Sequence, residues 1–146
     1  MNTINIRHAS VDDAAVIAQH DKHVAFSILN DKIERHEVLV VHEGDIFAGW
    51  LRYSLFWDNT PFMNMLFLLP EYRSKGIGKQ LVLFWEEEMK GKGYKVVLTS
   101  TQQNESTQHF YVALGYKATG GFHIEGEPFE IIFAKKLLAI RWNARD

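Results

Sequence analysis

The chain has 146 residues, of which 47% are hydrophobic and 23% charged. That suits one domain with its own core and excludes disordered, collagen-like and disulfide-stapled chains. Sixteen basic against eighteen acidic residues leave a formal charge of −2, which gives no electrostatic reason to bind nucleic acid or an anionic membrane. With no cysteine present, thiolate metal sites, iron–sulfur clusters and a cysteine nucleophile are excluded.

The first residues, Met1-Asn2-Thr3-Ile4-Asn5-Ile6-Arg7, do not read as a signal peptide. No apolar run approaches the roughly 20 residues that span a bilayer. A cytoplasmic location is expected. No repeat or linker divides the chain, so residues 1–146 are expected to form a single domain.

Residues 4–7 alternate as a short strand does. Ser10 and Asp13 are placed for a capping box. Val11, Ala14, Ala15, Ile17 and Ala18 predict the buried stripe of a first helix. A second helix follows, with Ile28, Leu29 and Ile33 inside and Lys32, Glu34 and Arg35 outside. Residues 37–42 and 46–53 predict two strands around the turn Glu43-Gly44-Asp45. Residues 61–69 predict a further strand. A helix over 78–90 turns Leu81, Val82, Phe84, Trp85 and Met89 to one side. A strand at 96–98, a helix over 106–114 closed by Gly115, and a last strand over 129–135 complete the pattern. This order predicts an α/β (α+β) fold, a mixed central sheet with helices on both faces.

The segment most informative about chemistry is Arg73-Ser74-Lys75-Gly76-Ile77-Gly78-Lys79, which follows a strand and opens a helix. Free amides at a helix start, close backbone approach at two glycines and flanking basic residues suit a phosphate group. A Walker A loop is excluded because Gln80 follows Gly78-Lys79, where a hydroxyl residue is required. A dinucleotide fingerprint is excluded because Leu81 stands where its third glycine belongs.

The stretch Leu66-Phe67-Leu68-Leu69-Pro70-Glu71-Tyr72-Arg73-Ser74-Lys75-Gly76-Ile77-Gly78 resembles the coenzyme signature of the GCN5-related N-acetyltransferase (GNAT) family. A second block resembles that family in Asn104-Glu105-Ser106-Thr107-Gln108-His109-Phe110-Tyr111-Val112-Ala113-Leu114-Gly115-Tyr116. The resemblance implies an enzyme that moves an acetyl group directly from acetyl-CoA to a primary amine, and a central sheet that is partly splayed. It implies that the backbone at Ser74, Lys75, Gly76, Ile77, Gly78 and Lys79 holds the pyrophosphate, supported by the Arg73 side chain. A strand bulge would expose backbone groups of Leu66 and Leu68 to the pantetheine arm. Asn104 would bond a pantetheine amide or cap the following helix, with Ser106 as the alternative contact. Tyr111 would be the general acid that protonates the departing thiolate.

The family's strand carboxylate is missing, since Met63-Asn64-Met65 occupies that stretch. Glu125, Glu127, Glu130, His123 and Asp58 are candidate bases elsewhere, and none is assigned. His20 and His23 lack a third metal ligand at a known spacing, so no metal is expected. Trp50, Tyr53, Phe56, Trp57, Asp58, Phe62, Phe122 and Phe129 are candidates for the acceptor side, where aromatic faces suit an amine with an apolar body. The expected acceptor is a small molecule. The alternatives are a protein or peptide acceptor, and a non-catalytic coenzyme-binding module. Formation of a homodimer is a further expectation.

Overall fold

The computed structural model describes residues 3–137. The elements run β1 (Ile4–His8), α1 (Ala14–His20), α2 (Phe26–Glu34), β2 (Val38–Glu43), β3 (Ile46–Phe56), β4 (Thr60–Leu68), α3 (Ile77–Gly91), β5 (Val96–Gln102), α4 (Thr107–Ala113), β6 (Lys117–Phe122) and β7 (Glu130–Lys136). The sheet order is β1-β2-β3-β4-β5-β7-β6. β4 and β5 are parallel, whereas the β1–β2, β2–β3, β5–β7 and β6–β7 pairs are antiparallel, so the sheet is mixed. The parallel ladder is short: Phe62 pairs with Leu98 and Met63 with Thr99. Such a brief pairing is what a partly splayed sheet provides.

Two compact units divide the described residues. One runs to Tyr53 and includes Met65–Trp85. In it α1 and α2 bury Ala14, Ile17, Leu29 and Ile33 against Val38, Val40 and Trp50. Asp13 fixes the start of α1: its carboxylate accepts from the Ser10 amide at 2.7 Å and from Arg7 at 2.8 Å. The predicted stripe is too wide, because Val11 and Ala15 are exposed. On α2 the prediction fails twice. Ile28 is exposed, while Lys32 is only 5% exposed and donates to the Tyr53 carbonyl and to Glu37. A lysine stem packs like an alkane provided its ammonium finds acceptors. On α3, Leu81, Val82, Trp85 and Met89 are buried as expected, but Phe84 is exposed.

Gly49 of β3 faces the end of β4. A Cβ there would collide with the Phe67 carbonyl oxygen and the Leu68 side chain. Gly49→Ala should therefore destabilise the protein by about 1–3 kcal/mol, read as a lower urea midpoint at unchanged slope. An unchanged midpoint would show that the strands part without cost.

The other unit comprises Ser54–Asn64 and the described residues from Glu86 on. β7 pairs with β5 over seven residues, from Val96–Lys136 to Gln102–Glu130. Val97, Thr99, Thr101, Tyr111, Tyr116 and Phe133 are buried. Glu86 is buried with two partners, accepting from the Tyr116 hydroxyl at 2.8 Å and from Lys135 at 2.7 Å. Burial and the neighbouring Glu86 carboxylate raise the Tyr116 phenol well above its ordinary range.

Strand β6 has no counterpart among the predicted elements. All its residues are exposed and it contains Gly120 and Gly121, so neither periodicity nor propensity marks it. Its place at the sheet edge depends on a small residue: a Cβ on Gly121 would strike the Glu130 carbonyl and the Phe129 ring. The β3–β4 turn is also atypical, with Trp57 and Asp58 at φ 59° and 64°. Turns of that shape favour Asn-Gly, and a bulky residue there is strained.

Candidate functional site

The loop 73–79 lies on the surface ahead of α3. Ser74 and Gly76 adopt φ 61° and 82°, the left-handed geometry that glycine tolerates best. Ile77 is the first helical residue and its side chain is buried, which pins the helix start. The first intrahelical bond runs from the Gln80 amide to the Gly76 carbonyl at 3.1 Å. The amides of Ile77, Gly78 and Lys79 thus precede the ladder and stand at the positive end of a 15-residue helix. Ser74, Lys75 and Lys79 are exposed beside them. Lys75 lies with its Nζ 5.9 Å from the Tyr72 ring. This donor-rich, cationic surface fits a pyrophosphate.

Arg73 is exposed and also braces the end of β4. Its Nε donates to the Leu68 carbonyl at 2.8 Å, and its guanidinium lies 5.0 Å from the Phe67 ring. The Leu68 carbonyl is correspondingly engaged, whereas the expected pantetheine contacts need free backbone groups at Leu66 and Leu68. The Leu69 amide is also taken, by the Ala48 carbonyl at 2.8 Å.

The same region carries a stacked aromatic row that the sequence did not mark. Trp50 and Phe67 lie 4.8 Å apart, and His20, the last residue of α1, stands 6.1 Å from Phe67. His20 is exposed, beside an aromatic face. Its spacing to His23 suggested only a metal pair; the ring contact depends on a chain fold that local spacing does not encode.

In the other unit, Tyr111 of α4 is 4% exposed. Burial pushes its phenol up to about 12, with Glu105 adding to the rise and nearby Thr99 opposing it. The Thr99 hydroxyl donates its one proton to the Met63 carbonyl at 3.0 Å. Asn104 is exposed and lies two residues before the N-cap, Ser106. The expected capping role of Asn104 is therefore not realised. Ser106 makes no side-chain cap bond either; the Gln108 amide holds the turn through the Gln103 and Glu105 carbonyls.

Several candidate bases already have partners. Glu130 accepts from Ser100 at 2.6 Å and Glu127 from Gln102 at 3.0 Å. Asn64 donates to Ser54 at 2.8 Å, and Asp58 sits in the strained turn. Of the acceptor-side aromatics, Trp50 and Tyr53 are core residues, whereas Phe56, Trp57, Phe122 and Phe129 are exposed.

Residues 6–116 match the model of the acetyltransferase (GNAT) family. The chain belongs to that family. Its relatives include the N-acetyltransferase YhfO of Bacillus subtilis, 27% identical, with 82% of this chain and 93% of that protein covered. A GNAT-family acetyltransferase from Bacillus cereus is 25% identical with a TM-score of 0.78, covering 94% of this chain and 99% of that one. The PaiA N-acetyltransferase of Thermoplasma acidophilum, solved with coenzyme A, has the same fold at 23% identity and a TM-score of 0.77, covering 92% and 99%. The GNAT fold expected from the two sequence blocks is thus the fold of this chain, and its chemistry is that of an N-acetyltransferase.

Proposed function

We propose that this GNAT enzyme transfers the acetyl group of acetyl-CoA to a primary amine carried by a small molecule, with residues 1–146 acting as one catalytic domain. The observation that carries the coenzyme assignment is the α3 start, where three amides precede the helical hydrogen-bond ladder near the exposed Lys75 and Lys79. Coenzyme A in the crystal of the Thermoplasma relative supports it. In this reading the amides at Ser74, Lys75, Gly76, Ile77, Gly78 and Lys79 bind the pyrophosphate, and backbone groups of Leu66 and Leu68 orient the pantetheine arm. Arg73 holds the end of β4 and Asn104 bonds a pantetheine amide. Tyr111 donates its proton towards the departing sulfur while the amine nitrogen forms the new bond to the acetyl carbon.

The small-molecule assignment draws on the engaged state of Glu127 and Glu130, whose bonds to Gln102 and Ser100 leave less free carboxylate for a basic peptide. Thiol release from acetyl-CoA against polyamines, amino acids, arylalkylamines and short peptides tests it. Faster turnover of peptides than of every small amine would reverse the assignment.

The coenzyme site has its own test. Gly78→Val puts a branched side chain beside the amides of the first turn and should weaken acetyl-CoA binding at least tenfold by calorimetry, with the circular dichroism spectrum retained. Unchanged affinity would place the pyrophosphate elsewhere.

A further inference from the structure

We propose that Glu130 is the general base for the acceptor amine, held in place by the Ser100 hydroxyl. The inference rests on the reading of the protein as an acetyltransferase of primary amines with Tyr111 as the acid. The attacking nitrogen must shed a proton as it bonds to the acetyl carbon, and β4 carries no carboxylate to take it. Asn64 donates its amide to Ser54 at 2.8 Å. Strand register supplies the substitute. The last pair of the β4–β5 ladder is Met63 with Thr99, so Ser100 is the first β5 residue past it. Successive strand residues point to opposite faces. On β5, Val97, Thr99 and Thr101 are buried, whereas Leu98, Ser100 and Gln102 are half-buried. Ser100 thus belongs to the more open face, where its Oγ donates to Glu130 Oε2 at 2.6 Å.

Glu130 is the first residue of β7 and pairs in register with Gln102 on one side and Phe122 on the other. Its backbone is fixed between two strands and the residue is half-buried. His123, Glu125, Glu127 and Asp58 lie exposed in the connections between strands. Tyr111 stands on the other face: its ring is 6.4 Å from that of Phe133, the buried register partner of Thr99. Acid and base thus occupy opposite faces at one end of the ladder, one serving the sulfur and the other the nitrogen. The Ser100 bond takes one of about four lone-pair sites on the carboxylate and leaves the others for the amine or a bridging water. In the step, the nitrogen lone pair forms the bond to the acetyl carbon and one N–H proton passes to Glu130. The C–S bond breaks with its electron pair on sulfur, which takes the Tyr111 proton. Glu130 then gives its proton to water and water returns one to Tyr111, so that amide and free thiol are the products.

Glu130→Gln keeps the size and an oxygen for Ser100 but accepts no proton. With the full chain, acetyl-CoA and whichever member of the panel gives the fastest thiol release, kcat should fall about 100-fold, with the calorimetric affinity for acetyl-CoA within about twofold of the parent. Glu127→Gln should keep kcat within about twofold. Glu130→Ala should be as slow as Glu130→Gln, and added formate, a small carboxylate, should raise its kcat about tenfold, a rescue that a purely structural role does not give. If the Glu130 variants do not fold, Ser100→Ala carries the test and should lower kcat about threefold to tenfold at unchanged acetyl-CoA affinity; an unchanged kcat there overturns the inference. So does a kcat in Glu130→Gln within about fivefold of the parent, an equal loss in Glu127→Gln, or no response of Glu130→Ala to formate. These results leave the acceptor reading standing. A parent whose thiol release no amine or peptide of the panel accelerates overturns that reading and this inference with it.

Discussion

Tyr111→Phe should lower kcat by roughly 10²–10³-fold while leaving the affinity for acetyl-CoA nearly unchanged. The substitution removes one oxygen from a ring whose packing against Phe110, Tyr116 and Phe133 is otherwise retained. The magnitude follows from acidity. A phenol pushed up to about 12 stays protonated at neutral pH, so the donor is always loaded. An ordinary thiol titrates at about 8.5, so complete proton transfer from such a phenol to a free thiolate runs uphill by several kcal/mol. The benefit therefore comes chiefly from a hydrogen bond that strengthens as charge grows on sulfur, like the donors of an oxyanion hole. Loss of one such donor accounts for the expected range, and kcat and kcat/KM should fall together. Steady-state kinetics with calorimetric binding of acetyl-CoA checks this. A fall of less than about fivefold would mean that water or the acceptor protonates the sulfur.

The parts of this fold most legible in the sequence are those where periodicity and punctuation agree. The α3 helix announces itself through Leu81, Val82, Trp85 and Met89 behind a glycine loop, and all four are buried. β6 and the burial of Lys32 are illegible for opposite reasons. An exposed, glycine-bearing edge strand exists because β7 offers it hydrogen bonds, which no local pattern records. Lys32 enters the interior because the Tyr53 carbonyl and Glu37 converge on its ammonium. At the candidate site, the loop was readable because its chemistry is backbone chemistry set by local geometry. The Nε bond of Arg73 to the Leu68 carbonyl is not legible in the sequence, because the acceptor is brought to it by the turn after β4.

Asp21→Asn should destabilise the protein by about 3–5 kcal/mol, the usual consequence of removing one member of a buried ion pair. The Asp21 carboxylate accepts from Arg52 Nε at 2.7 Å, from its terminal nitrogen at 3.2 Å, from the Trp50 indole at 3.3 Å and from the His23 amide at 3.2 Å. The side chains of Arg52 and Asp21 are 8% and 0% exposed. An asparagine retains volume and one acceptor oxygen, but leaves the guanidinium buried without a counter-charge. Burial alone would raise the Asp21 pKa; the Arg52, His23 and Trp50 donors outweigh it and hold the carboxyl below its ordinary value. The stabilisation is therefore fully present above the unfolded-state value of about 4, and is lost as pH falls through the lower folded-state value. Between about pH 5 and pH 2 the parent should lose stability more steeply than Asp21→Asn, so the two urea midpoints should converge. Replacing both partners by apolar residues, Asp21→Leu with Arg52→Met, should recover much of the loss, because it removes the stranded charge along with the pair. A constant gap between parent and Asp21→Asn across that pH range would mean that the carboxylate contributes shape rather than charge.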